Sequence, residues 1–144
     1  MYYKYIFRIH NLDCNIINIY LNIIHIYIYM DDFKKKSSFE SRLAESNRII
    51  DKYPDRIPVI VVKDKKSTLN EVDKHKYLVP NDLTMGQFMF VLRKRIKLNK
   101  ADAIYLFCGN ILIPSTQLLS QAYHNNKDSD GFLYITYSSE NVFG

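Results

Sequence analysis

Cysteine is nearly absent. Cys14 and Cys108 are the only two, 94 positions apart, which excludes a disulfide framework and any closely spaced thiol pair for zinc, and fits free thiols in a reducing compartment. Cys108 sits in the apolar run "AIYLFCG", where a thiol is expected to be buried and inert rather than nucleophilic. Glycine and proline number four each and tryptophan is missing, so collagen-like and low-complexity classes are excluded. The glycines Gly86, Gly109 and Gly131 stand singly, so there is no glycine-rich phosphate loop. The four histidines, His10, His25, His75 and His124, have no partner at H-E-x-x-H spacing. Asp128, Asp130 and Glu140 read as a solvated acidic edge rather than a general acid/base pair. No catalytic residues, cofactor or metal are indicated, and the chain reads as a binding module rather than an enzyme.

A clean hydrophobic span is also lacking. Residues 1–29 are rich in Ile, Tyr and Asn but broken by Arg8, Asn11, Asp13, Asn15, Asn18, Asn22 and His25, whereas a transmembrane helix needs about 20 predominantly apolar residues. They lack the small-residue cleavage site of a signal peptide. The codons of these residue types are AT-rich, and the expectation is a disordered or non-native extension with Met30 as the working start.

What is present is an ordinary globular composition, 144 residues with 47% hydrophobic, enough for one domain with a core. The net charge of +5 is uneven. Residues 30–100 hold 17 Lys and Arg against 10 Asp and Glu, whereas residues 101–144 hold one against four. A basic face suits nucleic acid, acidic head groups or acidic peptides.

From Met30 the punctuation gives the elements. A short helix over 31–36 is weakly signalled. "SSFE" at 37–40 has the S-x-x-E form of a capping box, opening a helix, "FESRLAESNRIIDKY", that Tyr53-Pro54 ends. "RIPVIVV" (56–62), apolar on both faces, suits a central strand. "KHKYLVP" (74–80) is a second, basic strand. Thr84 and Gln87 form a second capping box before "MGQFMFVLRKRIKL", whose Lys/Arg cluster lies at the end favoured by the macrodipole. "AIYLFCGNILIP" reads as two strands about a turn at Gly109, "STQLLSQAYHNN" (115–126) as a helix, and "FLYITYS" (132–138) as the last strand. The fold class expected from this order is α+β, a β-grasp (ubiquitin-like) mixed sheet with an N-terminal helical extension. First and last strands should lie central and parallel. The divisions expected are 1–29, a helical subdomain 30–55, the core 56–138 and a flexible tail 139–144.

"KYPDRIPVIV", "KYLVPNDLTMGQF", "LRKRI" and "GFLYITYSSENVFG" resemble the autophagy-related ubiquitin-like modifiers of the GABARAP type, from about Ser38 to Gly144. The resemblance implies a C-terminal glycine carboxylate that is activated with ATP, carried as thioesters on activating and conjugating enzymes, and joined to the amine of phosphatidylethanolamine. Gly144 is the conjugated residue and Phe143 the handle beside it. A residue without Cβ threads a narrow enzyme cleft where a side chain clashes. Since the sequence ends on glycine, no priming cut is expected, and a deconjugating cysteine protease would remove the lipid. Two acyl chains suffice for a stable anchor where one does not.

The resemblance also implies a groove at the edge strand for receptors carrying an aromatic-x-x-aliphatic motif with nearby acids. Its aromatic pocket is Glu45, Ile49, Pro58, Ile60, Lys76, Leu78 and Phe132. Its aliphatic pocket is Tyr77, Val79, Pro80, Leu83, Phe88, Val91 and Leu92, with Arg56, Lys74 and Arg95 meeting the acids. The implied protein is monomeric in solution, binds no nucleic acid, and moves from cytoplasm to autophagosomal membrane, or to plastid membrane in some protists. Two alternatives stay open: a modifier joined to protein lysines, and a basic nucleic-acid-binding domain with steep salt dependence.

Overall fold

The structure is a computed structural model and describes residues 31–140. The N-terminal extension, Phe143 and Gly144 lie outside the described residues. In chain order the elements are α1 (Asp31–Lys36), α2 (Phe39–Lys52), β1 (Arg56–Lys63), β2 (Lys76–Pro80), α3 (Met85–Ile96), β3 (Tyr105–Cys108), β4 (Ile111–Leu112), α4 (Leu119–Asn126) and β5 (Leu133–Ser138).

β1 is the spine. Ile57 to Val61 are all buried, as a β-branched run covered on both faces must be. It pairs antiparallel with β2 and parallel with β5. β5 pairs antiparallel with β3, and β3 with β4. The order β2-β1-β5-β3-β4 puts the first and last strands side by side in the middle, the β-grasp arrangement.

Alternation along β1 divides the interior into two cores. Ile57, Val59 and Val61 belong to the main core with Leu106, Leu133, Ile135 and Tyr137, covered by Met85, Phe88, Leu92 and Ile96 of α3. Ile60 faces the other way with Phe132 and Tyr134, against Phe33 of α1 and Ile49 of α2. The helical annex thus covers the sheet face that α3 does not.

Several sequence expectations need adjustment. The capping box expected at 37–40 does not form; a one-sided cap one residue later takes its place. Ser38, not Ser37, is the N-cap, and its hydroxyl accepts from Ser41 N–H at 3.2 Å. The Ser37 carbonyl instead accepts from Arg42. The box at Thr84 is complete: Thr84 Oγ1 accepts from Gln87 N–H at 3.2 Å, and Gln87 Oε1 from Thr84 N–H at 2.9 Å. α4 begins at Leu119 rather than Ser115 because residues 114–118 serve the start of α3. The Gln117 and Ser115 carbonyls accept from the N–H groups of Met85 and Gly86, donors a helix start leaves open.

Asp130 is not on a solvated edge. It is fully buried. Its Oδ2 accepts from Arg42 Nε at 2.9 Å and Tyr134 OH at 2.6 Å, and its Oδ1 from Phe132 N–H at 2.9 Å. Since Arg42 also donates to the Lys34 carbonyl, this carboxylate fastens the α1–α2 turn to the sheet. Asp128 beside it pairs with Lys34 at 2.8 Å. Burial alone raises the Asp128 carboxyl, but the Lys34 hydrogen bond and the Asp130 N–H outweigh it and hold the group below the ordinary value of 3.8.

Candidate functional site: a cleft at the β2 edge

Only β1 flanks β2 in the sheet, so its other edge is unpaired among the strands of the described residues. An edge strand offers main-chain donors and acceptors in a row. Alternation along it leaves Lys76 and Leu78 exposed, Val79 buried, and Tyr77 and Pro80 half-buried. Leu78 is 36% exposed, a large apolar side chain left partly open to solvent on the edge strand.

Between β2 and α2 opens a cleft of about 230 Å³. Glu45 and Ile49 of α2, Pro58 of β1, Lys76 and Leu78 of β2, and Phe132 before β5 line it. Six of the seven residues expected for an aromatic pocket therefore meet in one place. The seventh, Ile60, is 2% exposed and lies in the second core with Phe132. Lys76 Nζ holds Glu45 Oε1 at 2.9 Å and stands 4.8 Å from the centroid of the Phe33 ring. Phe33 in turn meets Phe132 edge-to-face at 5.4 Å. One face of the cleft is thus a lysine held between a carboxylate and an aromatic face.

Lys74 lines the same cleft and stands 5.7 Å from the Tyr77 ring. Arg56 is exposed and reaches the Leu78 carbonyl at 3.5 Å. Arg95 meets Asp73 at 3.3 Å, so its charge already has an acidic neighbour, in water where such a pair contributes little.

The aliphatic group is layered. Val79, Phe88 and Leu92 are buried in the main core, with Leu83 and Tyr77 half-buried upon it. Phe88 supports Tyr77 from behind, ring edge to face at 5.6 Å. Val91 is 41% exposed, the one exposed member of a group otherwise half-buried or buried. The Tyr77 hydroxyl is buried with no hydrogen-bond partner among the described residues. Burial raises its pKa against the lowering effect of Arg95, with Asp73 adding to the rise. Sequence reasoning missed Phe33, which lies in the weakly signalled α1, and Val59, which lines the cleft directly opposite Tyr77 in the strand register.

Among the described residues, no group of three or more His, Cys, Asp and Glu converges on a metal position. No described helix is long and apolar enough to cross a membrane.

The model of the family "Autophagy protein Atg8 ubiquitin like" matches residues 41–144. The chain belongs to the Atg8 family. It is 59% identical over 112 residues to autophagy-related protein 8e of Arabidopsis thaliana, covering 78% of this chain and 92% of that one. Its identity to autophagy-related protein 8 of Schizosaccharomyces pombe is 58%, over 78% of this chain and 93% of the relative. Among solved structures, Trypanosoma brucei ATG8 superposes with a TM-score of 0.73 at 41% identity, over 78% of this chain and 97% of that one. Plasmodium falciparum Atg8, solved in complex with a P. falciparum Atg3 peptide, does so with a TM-score of 0.70 at 39% identity, over 76% and 96%. The chain is thus an Atg8-type ubiquitin-like autophagy protein. All residues of the expected groove and tail fall within the 41–144 match, whereas Phe33 precedes it.

Proposed function

We propose that this protein is conjugated through the Gly144 carboxylate to phosphatidylethanolamine and then serves as a membrane-anchored adaptor in autophagosome formation, recruiting receptors to its β2 edge. The observation that carries the docking half is the cleft in which Lys76, Leu78 and Phe132 meet beside an unpaired strand edge. A peptide added there gains main-chain hydrogen bonds from β2 and a pocket for an aromatic anchor. Burying each anchor contributes roughly 1.5–3 kcal/mol, in keeping with affinities of about micromolar, near −8 kcal/mol. Lys74, Lys76 and Arg56 suit acidic residues flanking the motif.

The conjugation half rests on family membership and on a family match that extends to residue 144. The P. falciparum relative's complex with an Atg3 peptide supports contact with the conjugating enzyme. An activating enzyme and a deconjugating cysteine protease complete the cycle. The protein would pass from cytoplasm to the autophagosomal membrane, or to a plastid membrane, with two acyl chains as a stable anchor. Phe143 would act as the apolar handle for these enzymes.

Reconstitution with activating and conjugating enzymes, ATP and phosphatidylethanolamine liposomes tests the first half. A faster-migrating, lipid-dependent band should form with the wild-type chain and vanish in Gly144→Ala; a band unchanged by that substitution refutes the assignment. For the second, Lys76→Ala and Leu78→Ala should each weaken an aromatic-x-x-aliphatic peptide by about tenfold, the magnitude of one lost anchor or charged contact. Equal affinity in both variants removes the docking site.

A further inference from the structure

β5 stays paired to its last residue, Ser138, and the chain runs on past it. Its ladder with β1 ends at Lys63–Tyr137 and its ladder with β3 at Tyr105–Ser138. Backbone N–H groups beyond that point need other acceptors; the loop between β1 and β2 provides the first and a side chain of β5 the second. Ser139 N–H donates to Ser67 Oγ at 3.3 Å, and Glu140 N–H to Ser138 Oγ at 3.2 Å. Ser138 Oγ donates onward to Asp64 Oδ2 at 3.4 Å.

Ser67 is the centre of this arrangement. It is 7% exposed. Its hydroxyl accepts from Ser139 N–H and from Leu69 N–H at 3.2 Å, and donates to the Ser139 hydroxyl at 3.4 Å. That uses the one donor and both acceptor positions of a serine. The loop bearing it is itself tied down. Asp64 N–H donates to the Tyr137 carbonyl at 2.8 Å, Tyr137 OH donates to the Asn70 carbonyl at 2.8 Å, and the same hydroxyl accepts from Val72 N–H at 2.9 Å. A buried, fully used serine on a stitched loop thus holds Ser139 by both its backbone N–H and its hydroxyl.

We propose that Ser67 is a positioning residue for conjugation. By fixing where the chain leaves the sheet, it sets the place from which Gly144 is presented to the enzymes that act on it. This rests on the conjugation reading above. Gly144 lies four positions beyond Glu140, a reach of at most roughly 14 Å when fully extended, so a root that wanders spoils delivery of a short tail to a narrow cleft. Ser67→Ala deletes the acceptor for Ser139 N–H and leaves the β2 edge untouched.

The test uses the full chain in the reconstituted lipidation reaction, with the modifier concentration varied. Ser67→Ala should raise KM for the modifier by about three- to tenfold, the worth of one hydrogen bond, with kcat retained. Ser67→Thr, which keeps the hydroxyl, should restore KM. Ser139→Pro, which removes the N–H donor and the hydroxyl that Ser67 holds while leaving the loop's own sequence unchanged, should raise KM as Ser67→Ala does. Amide exchange at Ser139 should quicken in Ser67→Ala, and affinity for the aromatic-x-x-aliphatic peptide should stay at the wild-type level, which separates a loosened root from a damaged fold. A KM for both variants within twofold of wild type overturns the proposal while leaving the conjugation reading intact. A wild-type chain that forms no conjugate overturns both.

Discussion

Asp130 joins the helical annex to the sheet through one buried side chain. Its two oxygens take a guanidinium N–H, a phenol and a backbone N–H in a site with no exposure. A buried pair is weak evidence for net stability, but removing one member strands the other without water or counter-charge. Asp130→Ala should therefore destabilise by about 3–5 kcal/mol in urea unfolding followed by circular dichroism, whereas removing both Arg42 and Asp130 should cost less than the two single changes added together. A loss under about 1 kcal/mol for Asp130→Ala, the scale of one ordinary hydrogen bond, would remove the claim that this carboxylate fastens the annex. The next residue is constrained for a separate reason. Gly131 has φ +86°, and a Cβ there would lie 2.3 Å from Ser46 Oγ. No rotation of the new methyl avoids that contact, and the backbone angle is itself unfavourable for any other residue.

At the scale of elements, the parts read best from sequence were those whose signal is local. The β-branched run of β1 predicts a doubly covered strand, and it is one. Thr84 and Gln87 predict a reciprocal cap, and both bonds are present. The Thr84 cap carries a direct consequence: Thr84→Ala should cost about 1 kcal/mol and be largely recovered by Thr84→Ser, as measured by thermal unfolding. Equal stability of all three chains would show that the strap at 114–118 alone satisfies the start of α3. That strap is also why α4 is shorter than its sequence suggests. "STQL" carries no breaker between Ser115 and Leu118, and what holds it out of a helix is distant in sequence: the N–H groups of Met85 and Gly86 on its carbonyls and the bridge between Thr84 and Leu118. The same limit applies to Asp130, whose composition suggests a wet turn and whose partners lie as far as 88 residues away. For the cleft, Lys76, Leu78 and Phe132 are legible only through family resemblance, because they lie in two stretches, "KYLVPNDLTMGQF" and "GFLYITYSSENVFG", that the resemblance matches separately. Phe33 was not, since six residues of α1 carry too little periodicity to declare which side chain turns inward. Val59 was hidden by its own burial, which marks it as core before it marks it as lining.

For the whole molecule, burial of ionisable groups fixes how stability depends on pH. Burial pushes the Cys108 thiol up to about 12 from an ordinary value of 9.0. Tyr134 and Tyr137 are also raised above 10.0, both chiefly by burial, Tyr134 also by its hydrogen bond to Asp130 and Tyr137 by the charge of Glu71. In each case the neutral form is the one the fold accepts. Between the unfolded and folded values the native chain holds protons that the unfolded chain has released, so stability falls as pH rises. The contribution is whole below pH 9 and lost progressively above it, first through the thiol and then through the phenols. Asp128 acts in the opposite sense: its depressed carboxyl gives a contribution present above pH 3.8 and lost as acid protonates it. Unfolding midpoints in urea should therefore be flat near neutrality and drop from about pH 9 upward. Replacing Cys108 by Ala should shift that alkaline drop toward pH 10, where the tyrosines take over, at the expense of a small cavity. An alkaline limb that begins below pH 8, or that Cys108→Ala leaves in place, would mean that some other group, not these buried neutral ones, governs the molecule's tolerance of base.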